Sequence, residues 1–167
     1  MTVLSIDPGT TQSAFVLYDP VGPRLIKFGK IDNELLKNFL RYGALYELMA
    51  FSDLPNKCVI EMIQHYGTGM PAGKEVFETC VWIGKFELAF EIFRSGCEVW
   101  KISRPSVKSH ICHSARAKDG NVRQALIDRF GAPGTKKDPG FLYGVSGDIW
   151  SALAVAVTWT DNNVGNS

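Results

Sequence analysis

Three carboxylates in this 167-residue chain stand where a carboxylate is costly. Asp7 closes a short β-rich run, Glu61 interrupts the apolar run "CVIEMI", and Asp148 opens an almost wholly apolar stretch. A carboxylate buried without a partner costs several kcal/mol, so a buried Glu61 is protonated, paired with a cation or bound to metal. Singly, each acid has an ordinary explanation. Glu61 can sit in a structural ion pair or point outward, Asp148 can cap a helix, and Asp7 before Pro8 and Gly9 can close an Asx turn. Together, at adjacent strand ends with a helix N-terminus beside them, the three can converge. Such an oxygen-rich cluster suits Mg²⁺ or Mn²⁺, and two such ions about 4 Å apart can activate water and stabilise the leaving oxygen in phosphodiester hydrolysis.

The elements that must position these acids follow from periodicity. Thr2 to Asp7, Ala14 to Tyr18 and Leu25 to Phe28 read as three strands broken by "DPGTT" and "DPVGP", an antiparallel meander. Leu35, Phe39, Tyr42, Tyr46 and Met49 step at the helical period, with Asp32 and Asn33 as candidate caps. Lys57 to Ile63 is a strand buried on both faces. Lys74 to Arg94 carries two apolar helical stripes. One (Val76, Cys80, Ile83, Phe86, Phe90, Phe93) can face a sheet; the other (Phe77, Val81, Gly84, Leu88, Ile92) needs a second cover from this chain or another subunit. A strand at Glu98 to Ile102, a basic helical region from Pro105 to Phe130, a loop "GAPGTKKDPG" and a last helix from about Asp148 to Thr160 complete the pattern. The expected architecture is a mixed α/β sheet with helices on both faces, one domain over residues 1–160, and a polar, frayed tail at 161–167.

Composition agrees with one core: 46% hydrophobic and 21% charged residues leave no disordered excess and no room for two substantial domains. The total charge of +1 argues against a uniformly basic nucleic-acid binder, but the charge is not uniform. Lys101 to Pro139 holds nine basic residues, among them Arg104, Lys108, Arg116, Lys118 and Arg123, against three acids. That stretch is +6 and the remainder −5. A basic face beside an acidic metal site draws in phosphates, although a solvated helical face looks the same in sequence. His65 and Tyr66, beside the glycine-rich "GTGMPAG", can stack on an opened base step or simply anchor a loop.

Cys58, Cys80, Cys97 and Cys112 form no C-x-x-C pair and read as reduced core thiols; "SHICHS" lacks the second ligand pair that zinc needs. The start "MTVLSID" has no basic or apolar leader pattern, and no uncharged apolar run approaches the ~18 residues of a membrane span. A cytoplasmic protein without a membrane or small-molecule cofactor is expected.

On these residues the sequence resembles the RuvC-like Holliday junction resolvases of the ribonuclease H-like superfamily. "LSIDPGTTQSAFVLYD" is similar to the first motif, "CVIEMI" to the second, "RPSVKSHICHSARAKDGNVRQAL" to the stretch whose two lysines, here Lys108 and Lys118, approach DNA, and "GDIWSALAVAVT" to the last. The departure lies in that last motif, where Ser151 stands in place of a second acid. The stretch from Ile60 to Glu87 looks more like bacteriophage and prophage members. The resemblance implies a ribonuclease H-like five-stranded sheet and Mg²⁺ or Mn²⁺, two ions per site, on Asp7, Glu61 and Asp148 with help from Ser151. It also implies a homodimer formed through the helix after the second motif, with Phe77, Val81, Gly84 and Leu88 at the interface, cutting a four-way DNA junction by paired hydrolysis. Three alternatives stand beside it: a junction-binding protein weakened by Ser151, a related nuclease acting on RNA, and an ATPase-like fragment sharing "IDPGTT". The last needs two large domains, which 167 residues do not supply.

Overall fold

The meander forms as its turn signals predict. A computed structural model describes residues 1–43, 54–64, 72–93 and 96–164. Strands β1 (Val3–Asp7), β2 (Gln12–Asp19) and β3 (Arg24–Asp32) pair antiparallel, and β4 (Lys57–Met62) and β5 (Glu98–Ser103) add in parallel beside β1, giving the order β3-β2-β1-β4-β5. Parallel strands require a crossover, which helices supply. Helices α1 (Asn33–Tyr42) and α2 (Lys74–Phe93) lie on one side of the sheet; α3 (Arg104–Cys112), α4 (Asp119–Phe130) and α5 (Ile149–Asn163) lie on the other.

Side chains alternate between the two faces of a strand, so each central strand serves two cores. Leu4, Ile6, Phe15, Leu17, Cys58 and Ile60 pack on α1 and α2, while Val3, Ala14, Val16 and Val59 pack on α5. Every residue of α5 from Ile149 to Thr160 except Ser151 is buried. Its alanines let it approach the sheet closely enough for Ser5 Oγ to donate to the Ala152 carbonyl at 2.7 Å.

Four boundaries and burials differ from expectation, each for a local reason. α1 stops at Tyr42 because Gly43 adopts φ 72°, a left-handed cap; Tyr46 and Met49 lie outside the described residues. The basic region is two helices, parted where His113 turns to φ 56°. α5 runs through Asn163, past the expected start of the tail, because Asp161 is held by Arg129 at 2.6 and 2.7 Å and by His110 at 2.8 Å. Of the cysteines only Cys58 is buried; Cys80 lies exposed on α2 and Cys97 and Cys112 are half-buried. The sheet-facing stripe of α2 is accordingly carried by Thr79, Ile83, Phe86, Ala89 and Phe90. Among the described residues no helix is long and apolar enough to cross a membrane.

Candidate active site

β1 delivers Asp7 to the end of the sheet's central strand, where the chain turns through Pro8 and Gly9. That turn is tied down. The Gly9 N–H donates to Ser13 Oγ at 3.1 Å, Ser13 donates to Asn33 Oδ1 at 2.6 Å, and Asn33 Nδ2 donates to the Gly9 carbonyl at 2.9 Å. A Cβ on residue 9 would lie 2.3 Å from the Gln12 carbonyl oxygen, so only glycine fits. Asp32 is the helix cap; Asn33, buried beside it, orders the turn that follows the acid.

In the parallel register Ile6 lies beside Ile60, so the next step along both strands sets Asp7 beside Glu61. By alternation both acids face α5. The bond from Ser5 to Ala152 pins β1 to the first turn of that helix, which brings in Asp148 and Ser151, the Ser151 hydroxyl lying near enough to Asp7 to favour its charged form.

Two cations reach the acids from opposite sides. Arg104, first residue of α3, donates to Glu61 Oε1 at 3.1 Å and to Asp119 Oδ1 at 2.9 Å, and Lys108 lies 3.1 Å from the same Asp119 oxygen. From β3, Lys30 donates to Asp148 Oδ2 at 2.6 Å, so the Asp148 carboxylate makes no cap bond to its own helix. The electrostatics are strained at the centre. Burial, then Glu61 and Asp148, push the Asp7 carboxyl up to about 7 against the pull of Arg104 and Ser151. Burial also raises Glu61, with Arg104 opposing.

Among the described residues no three His, Cys, Asp or Glu side chains are placed to hold a metal ion as they stand; Arg104 holds Glu61 and Lys30 holds Asp148 instead. The donor set nonetheless fits a hard divalent cation. It is all oxygen, and burial together with Glu61 and Asp148 raises the Asp7 carboxyl, the response of crowded acids that a bound cation would offset. A cavity of about 180 Å³ opens between Asp7, Glu61, Thr79 and Arg104, and a groove of about 450 Å³ runs past Asp119, Arg123, Asp148, Trp150 and Ser151.

No protein-family model and no curated protein matches the sequence. Solved structures do match. The chain superposes on Thermus thermophilus RuvC with a TM-score of 0.68 at 18% identity, covering 99% of this chain and 97% of that one. A second structure, T. thermophilus RuvC in complex with Holliday junction substrate, gives 0.69 at 17% identity over 99% and 96%. The chain has the RuvC fold.

Within this RuvC fold Asp7, Glu61, Asp148 and Ser151 stand together, with Arg104 and Lys108 alongside. Arg104 spends one terminal nitrogen on the buried Glu61 and the other on the exposed Asp119. Arg116 and Lys118 are exposed on the connection from α3 to α4, and Arg123 lies exposed on α4 with its guanidinium 5.4 Å from the Trp150 ring centroid. Phe77, Val81, Gly84 and Leu88 lie exposed on α2, across the sheet from the basic helices. His65 and Tyr66 lie outside the described residues. Two site residues escaped sequence reasoning. Asp119 carried no signal beyond its place in the basic stretch. Lys30 was visible only through register: Asp7 pairs Ala14 and Ala14 pairs Lys30, one row across three strands.

Proposed function

We propose that the chain is a metal-dependent, structure-selective endonuclease that resolves four-way DNA junctions. The observation that carries this reading is the meeting of Asp7, Glu61, Asp148 and Ser151 in a fold that, in the Thermus protein, is found with a Holliday junction. Asp7, Glu61 and Asp148 would hold Mg²⁺ or Mn²⁺, with Ser151 orienting Asp7. When bound, the metal supplies Lewis acidity and a water activated for attack on phosphorus. The chain's own side chains do the rest. Arg104 and Lys108 neutralise phosphate beside the acids, and Arg116, Lys118 and Arg123 extend the basic rim along the backbone without reading sequence.

Resolution requires two cuts, which a homodimer paired through α2 would deliver. The stripe Phe77, Val81, Leu88 and Ile92 is 63, 57, 58 and 55% exposed, a continuous apolar face that water disfavours. A second reading, junction binding with weakened cleavage, rests on the neutral Ser151 and on the two cations lying against the acids. Incubation with a synthetic four-way junction, a fork and a linear duplex, in Mg²⁺, Mn²⁺ or EDTA, separates the two. Symmetric nicks in the junction with a divalent ion support resolution, whereas tight binding without nicks supports the second reading.

A further inference from the structure

Lys30 has no catalytic role in that account, yet it touches the site. It enters from β3 in the row Asp7, Ala14, Lys30, and its ammonium bonds one oxygen of Asp148 at 2.6 Å. An ammonium carries three donors, so the bond to Asp148 leaves two for another anion. Both side chains are partly open to solvent, and Asp148 lines the groove that also holds Ser151.

The charges decide how many metal ions this arrangement can accept. Asp7, Glu61, Asp148 and Asp119 face Lys30, Arg104 and Lys108, which leaves the cluster one charge negative. One divalent ion together with the single negative charge of a phosphodiester brings it to neutrality. A second divalent ion would leave it two charges positive. It would also have to compete with Lys30 for Asp148, beside a serine where an acid would have helped to hold it. Like charges packed this closely repel strongly at low local dielectric.

We propose that Lys30 is a catalytic residue that takes the place of a second divalent ion at the Asp148 end of the site, its remaining donors meeting an oxygen of the phosphodiester, so that each protomer works with one ion. This rests on the nuclease reading above and departs from the two-ion expectation.

The test counts Mn²⁺ bound per protomer by the full-length protein, from the free-ion electron paramagnetic resonance signal. Wild type should bind one ion. Lys30→Met should bind two, the second more weakly, while Lys30→Arg keeps the count at one. Cleavage by Lys30→Met should fall at low Mn²⁺ and recover partly as Mn²⁺ is raised. Two ions on the wild type, or one ion of unchanged affinity on Lys30→Met, would overturn the inference. Asp7→Asn, measured in parallel, isolates the parent reading. Its loss of Mn²⁺ binding is expected whatever Lys30 does, and retention would overturn the metal site itself.

Discussion

Arg104 donates to the buried carboxylate of Glu61 at 3.1 Å. Its other terminal nitrogen holds the exposed Asp119, so one guanidinium joins the end of β4 to the start of α4. Removing one partner of a fully buried ion pair costs roughly 3–5 kcal/mol. Arg104 is 40% exposed and water can replace part of its charge, so Arg104→Gln should destabilise the metal-free protein by about 1–3 kcal/mol. Urea unfolding in EDTA measures this, and Mg²⁺ should recover part of the loss because it supplies the missing charge to Glu61. An unchanged midpoint in EDTA would mean that Glu61 does not depend on Arg104.

Asp119 takes Arg104 and Lys108 on one oxygen, where a DNA phosphate would otherwise compete for both. Asp119→Asn should therefore tighten junction binding several-fold and steepen its salt dependence. Asp128→Asn is the control. Asp128 lies in the same basic stretch, but its carboxylate accepts from Gln124, so its removal should have a smaller effect. Equal effects from the two variants would reduce the role of Asp119 to general charge.

Much of this site was legible in sequence because strand ends and helix starts announce themselves. Asp7 before Pro8-Gly9, Glu61 inside an apolar run and Asp148 before an apolar helix each mark an end; parallel register brings the first two together, and the bond from Ser5 to Ala152 brings in the third. The rest depended on long-range geometry. Lys30 joins the site only through two antiparallel registers, one of which shifts at Leu17/Tyr18, and a slip of one residue would turn it to the other face. Asn33 read as a cap, yet its role is to bond a turn 24 residues earlier. The end of α5 was missed because Asp161 gains its partners from α3 and α4, which sequence spacing does not join.

The exposed stripe of α2 makes the oligomeric state a direct test of pairing. Burying a large apolar side chain contributes about 1.5–3 kcal/mol, so Phe77→Glu with Leu88→Glu should weaken a dimer by at least about a hundredfold. Light scattering at micromolar concentration should give a dimer for wild type and a monomer for the double variant. Both residues are exposed in the single chain, so the circular dichroism of the variant should be unchanged. A monomeric wild type would remove the dimer from the account.

The cluster at the end of α5 makes stability depend on pH. Burial alone would raise the pKa of Asp161, but hydrogen bonds from Arg129 and His110 outweigh it and hold the carboxyl below its ordinary value. A depressed acid contributes stability above its unfolded pKa and loses it as pH falls through the folded one. That contribution should be complete above about pH 5 and fade below it. Arg129 is partly exposed, so the effect is about 1 kcal/mol, or roughly 2–4 °C in Tm. Melting wild type and Asp161→Asn between pH 7 and pH 3 should show a gap that narrows with acid; a constant gap would contradict the assignment.

The most direct measurement of the central claim is made on a four-way junction with the Asp7→Asn variant beside wild type, following binding and cleavage in one experiment with Mg²⁺ or Mn²⁺. Wild type should nick two strands of like polarity symmetrically across the junction, while the variant binds with nearly the same affinity and leaves every strand intact. Cleavage retained by Asp7→Asn, at a rate near that of wild type, would contradict the claim that Asp7 and its neighbouring carboxylates form the catalytic metal site.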